Sequence, residues 1–116
     1  SMPVPKGRGA QPDFVLGNAW GTACSPQMTA LVEQALLDHG HGVARNVPFA
    51  GGYVTRHYGR PRRGVQALQL EISRALYMDQ DTLAPHAGFA ALQAVLGDLV
   101  DRLVRYGGML GQQAAE

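Results

Sequence analysis

Apolar residues in the first half of the chain follow two spacings, one typical of a buried strand and one typical of a helix. Residues 13–17 (DFVLG) form a short apolar run that ends at glycine, which predicts a buried strand. Ser25 and Pro26 are typical of a helix start, and apolar residues at 28, 31, 32, 35 and 36 follow at helical spacing. Residues 42–46 predict a second strand. Strand, helix and strand in this order predict a right-handed, parallel βαβ unit and an α/β fold.

A third strand is predicted over residues 65–72 (VQALQLEI), where apolar and polar residues alternate. We expect this strand to be central and parallel to strand 42–46, and to end at a crevice, as ligand sites in open α/β sheets do. Glu71 lies one residue from that end. The preceding connection, which contains residues 56–60, could fold over the same edge of the sheet.

Residues 47–64 contain four glycines and two prolines, which predict loops with a short extended piece at 53–55. A loop this long in a small domain is uncommon unless it is functional. Residues 87–106 have apolar residues at helical spacing and predict a long helix, which we expect to stop at Gly107 and Gly108.

The composition is that of an ordinary globular protein and excludes several classes. With 116 residues, 46% hydrophobic and 16% charged, the chain suits one domain spanning residues 1–116. A net charge of +1 requires neither nucleic acid nor an anionic membrane as partner. The single cysteine, Cys24, allows no internal disulfide, and no apolar run approaches the ~18 residues of a membrane span. We therefore expect a cytoplasmic protein.

Arginine is concentrated in one glycine-rich segment. All basic residues except Lys6 are arginine, a bias that a GC-rich genome would produce without functional cause. The segment 55–60 (TRHYGR), extended by Arg62 and Arg63, nevertheless combines several hydrogen-bond donors suited to a small anion. A solvated basic loop is an equally open interpretation. An RNA-binding loop is disfavoured, because neither aromatic stacking modules nor a wider basic face accompanies the segment.

Glu71 is a charged residue within an otherwise apolar strand. Burial of an unpaired carboxylate is costly, so such a residue usually lies in a cleft, where it is either paired or catalytic. One interpretation is a general base. The other is a structural ion pair with Arg74 or Arg56.

The histidines do not predict a metal site. His39 and His41 flank the predicted end of the first helix, where a cation is favoured without any ligand role. No pair among His39, His41, His57 and His86 has the spacing of a helical zinc site. We therefore expect no metal to be bound by this chain alone.

Two motifs make a family resemblance specific: GGYVTRHYG at residues 51–59 and LQLE at residues 68–71. With PDFVLG at 12–17 and CSP at 24–26, they extend the resemblance over nearly the whole chain up to Asp81. The chain resembles the C-terminal part of the N-formylglutamate amidohydrolase family, whose members cleave N-formyl-L-glutamate to formate and glutamate at the end of one histidine degradation route.

The resemblance implies a fold, a reaction and roles for residues. The fold is a three-layer α/β/α arrangement with a mostly parallel sheet, of the zinc-peptidase-like (phosphorylase/hydrolase-like) type. A water bound to a divalent metal, expected to be zinc, would attack the formyl carbon with the help of a carboxylate. Glu71 is the candidate base. The candidate substrate-binding residues are Arg56, His57, Tyr58, Arg60 and Asn46.

The chain also departs from the family pattern. It has Gln66 where the family usually has histidine, and Ser73 where the family usually has asparagine. The family's metal ligands lie upstream, the last in a stretch resembling Asp-Cys-His-Ser-Met-Pro, whereas this chain begins Ser1-Met2-Pro3. We therefore expect a fragment that lacks metal ligands, is inactive alone and associates with itself to cover exposed edges.

Two alternatives to this function stay open. One is a non-enzymatic module that binds carboxylates or another protein. The other is an amidohydrolase of the same family that acts on another N-acyl amino acid.

Overall fold

The computed structural model describes residues 1–6 and 9–115 and begins with the predicted βαβ unit. Strand β1 (Phe14–Gly17), helix α1 (Pro26–Asp38) and strand β2 (Val43–Arg45) follow in order, and β1 pairs with β2 in parallel. The Ser25 hydroxyl accepts a hydrogen bond from the Met28 backbone N–H at 3.2 Å and caps α1, as its sequence predicts. The parallel βαβ prediction is confirmed.

Strand β3 (Gln69–Ile72) corrects the prediction for residues 65–72. It is shorter, lies at an edge of the β2-β1-β3 sheet, and pairs with β1 antiparallel. The three-stranded sheet is therefore mixed, and the expectation of a mostly parallel sheet is wrong. Since no long crossover helix connects β2 to β3, the chain stays at the edge where β2 ends and must return in the opposite direction.

Residues 53–55, predicted to be extended, begin helix α2 (Tyr53–Tyr58) instead. The Arg56 N–H donates to the Gly52 carbonyl at 3.1 Å, and the Gly59 N–H donates to the Thr55 carbonyl at 3.0 Å. Tyr, Val and Thr favour strands, but this preference is weak and depends on packing. Here Thr55 is buried against Gly51, which places the segment on the protein rather than in a sheet.

Helix α3 (Gly88–Ala115) continues through the glycines that we expected to end it. A glycine terminates a helix when it adopts a left-handed conformation, and neither Gly107 nor Gly108 has a positive φ. Within a helix, glycine costs only about 0.5–1 kcal/mol relative to alanine. The pair therefore weakens α3 without ending it.

Helices α1 and α3 pack together over one face of the sheet. The core cluster combines side chains of β1, α1 and α3: Phe14, Leu16, Val32, Ala35, Leu36, Leu92, Val95 and Leu99. At the outer edge of β3, the Met2 N–H donates to the Ile72 carbonyl at 2.7 Å and the Arg74 N–H donates to the Met2 carbonyl at 2.8 Å. None of the described helices is long and apolar enough to cross a membrane.

Candidate active site

The carboxyl ends of the parallel strands β1 and β2 lie at one edge of the sheet, and the loops that follow them are locked together there. The Ala19 N–H donates to the Ala50 carbonyl at 2.7 Å. Gly17 ends β1 beneath this contact, and a Cβ at that position would lie 2.7 Å from the Ala50 carbonyl carbon. Only glycine permits so close an approach. This edge is where ligands bind in open α/β sheets.

Asn46 connects the two loops through its side chain. Its Oδ1 accepts hydrogen bonds from the Asn18 N–H at 3.1 Å and the Trp20 N–H at 3.4 Å. The residue is 9% exposed and has a φ of 62°, a left-handed conformation that asparagine tolerates better than most residues. The resemblance predicts that Asn46 binds substrate. In the structure, its Oδ1 holds the two loops together.

Arg56 is exposed on α2 and faces the same loop. Its Nε donates to the Gly51 carbonyl at 2.8 Å, which fixes the direction of the guanidinium group. An arginine oriented by one backbone contact still offers terminal N–H groups that suit a carboxylate.

His57 and Tyr58 form an aromatic group with Tyr53 on the exposed side of α2. The rings of Tyr53 and His57 stack with centroids 4.9 Å apart, and those of His57 and Tyr58 meet edge to face at 4.7 Å. All three side chains are exposed. The group offers planar surfaces and ring donors next to Arg56.

Arg60 caps the end of α2 and lines a pocket. Its Nη1 donates to the Arg56 carbonyl at 2.9 Å and to the Gly59 carbonyl at 2.6 Å. A pocket of about 420 Å³ is formed by two short segments of the chain: Gly21, Thr22, Arg60, Pro61, Arg62 and Arg63. Gly21 and Thr22 follow β1, far from Arg60 in the sequence, so the sequence alone does not place them in this basic region.

Glu71 lies on β3 opposite Val15, on the face of the sheet away from the core cluster. Its side chain is 22% exposed, and its Oε2 lies 3.2 Å from the Ser1 backbone nitrogen. Within the described residues, the carboxylate forms an ion pair with neither Arg56 nor Arg74, since the Arg74 Nε donates to the Ser1 hydroxyl instead. The structural alternative of an Arg74–Glu71 pair therefore finds no support in these contacts.

Gln69 connects Glu71 to the start of α2, a role that sequence analysis missed. Its Oε1 accepts a hydrogen bond from the Gly52 N–H at 2.7 Å, and its Nε2 donates to Glu71 Oε1 at 3.0 Å. Gln69 and Glu71 are two residues apart on β3, so their side chains point to the same face of the sheet. This spacing is the signal from which the pair could have been predicted. The carboxylate and the helix that carries Arg56 are thereby held in fixed relation without bonding directly.

The described residues do not fit a metal ion on their own. Residues 1–6 and 9–115 contain no group of three or more His, Cys, Asp or Glu side chains suited to hold one. His39 and His41 are each hydrogen-bonded to a carboxylate, of Asp98 at 2.8 Å and Asp13 at 2.9 Å. Cys24 is buried, and burial raises the pKa of its thiol, which disfavours the thiolate that metals bind.

The chain is similar to curated relatives and to a family sequence model. Two curated relatives are named N-formylglutamate deformylase: one of Pseudomonas aeruginosa, 38% identical over 102 residues, and one of Pseudomonas putida, 32% identical over 102 residues. Both names describe an amidohydrolase. The sequence model of the N-formylglutamate amidohydrolase family matches residues 1–78. The chain belongs to the N-formylglutamate amidohydrolase family.

A solved structure agrees with this assignment. The N-formylglutamate amidohydrolase of Ralstonia eutropha JMP134 superposes with a TM-score of 0.83 at 39% identity, covering 91% of this chain and 40% of that one. Each curated match covers 85% of this chain and 38% of the relative. The chain therefore spans about two-fifths of the length of the proteins it matches.

Proposed function

We propose that this chain supplies the substrate-binding and general-base part of a metal-dependent hydrolase that cleaves N-formyl-L-glutamate to formate and L-glutamate, a step of histidine degradation. The observation that supports the proposal most strongly is the placement of Glu71 and Arg56. Gln69 bonds to the Glu71 carboxylate and to the Gly52 N–H at the start of the helix that carries Arg56, and Glu71 and Arg56 form no ion pair with each other. A site with a carboxylate base and a separate guanidinium suits a substrate that carries both an amide and carboxylates.

Glu71 is proposed as the general base. In hydrolysis, a water oxygen attacks the formyl carbon, the carbon–nitrogen bond breaks and the amine leaves with a proton. Glu71 would accept the proton of the attacking water at its carboxylate, which Gln69 orients through a hydrogen bond of 3.0 Å to Oε1. Positioned proton transfer of this kind typically contributes roughly 10²–10⁴-fold to the rate.

Arg56 is proposed as the main anchor for a substrate carboxylate, with His57, Tyr58 and Arg60 around it. Two parallel N–H···O bonds from one guanidinium give both affinity and orientation. Arg60 uses one terminal nitrogen to cap α2, and it borders the basic pocket on its other side. Asn46 belongs to this proposal as a residue of the same edge.

The remaining parts of the proposal concern the whole enzyme. They are a three-layer, zinc-peptidase-like fold, a divalent metal, expected to be zinc, whose ligands lie outside this chain, and a cytoplasmic location. Because the described residues do not assemble a metal site, the roles above involve this chain's own side chains alone. The same observation favours a second candidate for the isolated chain, namely carboxylate binding without catalysis.

Binding of N-formyl-L-glutamate to the 116-residue chain, measured by titration calorimetry, tests the substrate-binding part. Arg56→Ala is expected to weaken binding by about ten-fold or more, because a hydrogen bond to a charged group typically contributes about 1.5–3 kcal/mol. Arg105→Ala is the matched control, since Arg105 lies on α3 and donates to the Asp101 carbonyl. Equal affinities for the two variants would contradict the role of Arg56.

A further inference from the structure

Residues 19–21 form a left-handed turn one residue after the end of β1. Ala19, Trp20 and Gly21 have φ values of 51°, 57° and 85°. The Thr22 N–H and hydroxyl both donate to the Ala19 carbonyl, at 3.2 and 2.7 Å, and close the turn. Residues other than glycine avoid this conformation because Cβ crowds the backbone. Two consecutive non-glycine residues in it need other contacts to hold them.

Two buried asparagines provide those contacts. Asn46 Oδ1 accepts from the N–H groups of Asn18 and Trp20, and Asn18 Oδ1 accepts from the Gly21 N–H at 2.9 Å. Asn18 is itself anchored, since its Nδ2 donates to the Thr29 hydroxyl at 3.3 Å. Asn18 and Asn46 are 6% and 9% exposed. The two side chains are therefore largely removed from water, and their hydrogen bonds fix the backbone on both sides of Trp20.

The residue that this turn displays is an exposed tryptophan. Trp20 is the only tryptophan of the chain, and it is 67% exposed. The strain of the turn is therefore not compensated by burial of the Trp20 side chain in the core. Backbone strain that is held by surrounding structure clusters at binding and catalytic sites, so an observed outlier of this kind points to function.

Trp20 lies among the residues of the proposed site. Its neighbour Ala19 is bonded to Ala50, and the adjoining Gly51 carbonyl accepts from Arg56 Nε. The next residues, Gly21 and Thr22, line the pocket that Arg60, Arg62 and Arg63 also line. Trp20 therefore lies in the chain between a residue that contacts the loop bonded to Arg56 and residues that line the pocket of Arg60, Arg62 and Arg63.

We propose that Trp20 is a specificity-determining residue that contacts the carbon chain of an N-acyl amino acid, and that Asn18 and Asn46 are positioning residues that present it. The inference rests on the proposed function and deepens it. A substrate with two carboxylates separated by methylene groups needs an apolar wall between its two anionic ends. Trp20 provides such a wall, and Asn46 acts through the backbone of Trp20.

The test uses the 116-residue chain with N-formyl-L-glutamate and N-formyl-L-aspartate, which differ by one methylene. Calorimetry measures both affinities, and the fluorescence of the single tryptophan reports independently on Trp20. Wild-type chain is expected to prefer the glutamate compound by about ten-fold, the lower range for one methylene in an apolar contact. Trp20→Ala is expected to reduce this preference to nearly equal binding.

Asn46→Ala removes the acceptor and is expected to reduce the preference as Trp20→Ala does, while Asn46→Asp keeps the acceptor and restores it. Leu83→Ala is the matched control, because Leu83 is also an exposed apolar residue with a left-handed φ, of 61°. Should Asn46→Ala lose its fold by circular dichroism, Trp20→Ala still decides, since it removes only an exposed side chain.

Binding without a fluorescence change, and with an unaltered preference in Trp20→Ala, would overturn the inference and leave the proposed function standing. A saturable fluorescence change together with the lost preference would support it. If calorimetry detects no binding of either compound to wild-type chain, the proposed substrate-binding role fails, and the inference fails with it.

Discussion

Gln69 Nε2 lies 3.0 Å from Glu71 Oε1 on the same face of β3, so one neutral amide orients the carboxylate proposed as the base. The other end of the same amide accepts from the Gly52 N–H, at the start of α2. A displacement of α2 would therefore be transmitted to Glu71 through a single side chain. This arrangement makes the position of Glu71 sensitive to the loop that carries the arginines.

Glu71→Gln is expected to lower turnover of N-formyl-L-glutamate by roughly 10²–10⁴-fold in an enzyme that contains this chain together with metal ligands, because an amide cannot accept the proton of water. Steady-state kinetics measures the effect, and a thermal melt shows whether the fold is intact. The control is Glu33→Gln, since Glu33 is a carboxylate of α1 that pairs with Arg45 and has no role in the proposed reaction. A Glu71→Gln enzyme with unchanged kcat would rule out the general-base role.

The 116-residue chain alone is expected to show negligible deformylase activity, even with added zinc or cobalt. The reason is that its described residues bring no three metal-binding side chains together. Formate release from N-formyl-L-glutamate, followed with a coupled assay, measures the activity. Turnover at rates typical of enzymes would contradict this expectation and require a metal site that these residues do not show.

The chain is expected to self-associate in solution. Several apolar side chains of α3 are exposed, among them Phe89, Val100, Val104 and Met109. An amphipathic helix with an uncovered apolar surface tends to bury it against another molecule. Sedimentation at several concentrations measures the assembly, and Val100→Glu with Val104→Glu should shift it toward the monomer. A monodisperse wild-type monomer would contradict the expectation.

Acid is expected to loosen α3 from α1. Arg102 donates to Asp38 at 2.9 Å and to Asp98 at 3.0 Å, and Asp98 also bonds to His39. The hydrogen bond from Arg102 holds the pKa of Asp38 below its usual range, and the bond from His39, followed by that from Arg102, does the same for Asp98. A carboxyl group whose pKa is lowered by folding stabilises the fold above its unfolded pKa, near 3.9. That contribution is lost as the pH falls through the lower pKa of the folded state.

Urea unfolding at pH 7 and below pH 4 measures this effect. Arg102→Ala should lower the urea midpoint slightly at pH 7, because surface ion pairs contribute little, and the difference from wild type should shrink in acid. Arg105→Ala is the control on the same helix. A difference that stays constant across this range would show that Arg102 acts through packing instead of charge.

The parts of the fold that the sequence could predict are those set by neighbouring residues. The cap of α1 and the apolar spacing behind it depend on local geometry, and so does the parallel pairing that a short βαβ unit enforces. The direction of β3 does not depend on local geometry. It depends on the path of residues 46–68, where Arg60 and Val65 bond to each other and the Ala67 N–H donates to the Ala23 carbonyl. No periodicity within the strand contains that information.

In the candidate site, too, the local features could be predicted from the sequence and the long-range contacts could not. Glu71 and the arginine-rich segment could be proposed from the motifs, because their chemistry is visible in isolation. The orienting role of Gln69 and the part of Asn46 that holds Asn18 and Trp20 depend on groups far away in the chain. The prediction that residues 53–55 are extended is wrong for a related reason. Tyr, Val and Thr favour strands, but here the burial of Thr55 determines the conformation, and the segment is helical.

The close contact between Gly17 and Ala50 has a consequence for protein engineering. The loops that follow β1 and β2 can meet because Gly17 has no Cβ. The loop that leads to Arg56 therefore cannot be transplanted alone onto another α/β scaffold. A recipient with alanine at the end of its first strand would push the grafted loop outward by roughly 1 Å, which is the difference between 2.7 Å and an ordinary carbon–carbon contact. The smallest transferable unit is therefore the loop together with the strand beneath it, and a library that randomises position 17 should return glycine.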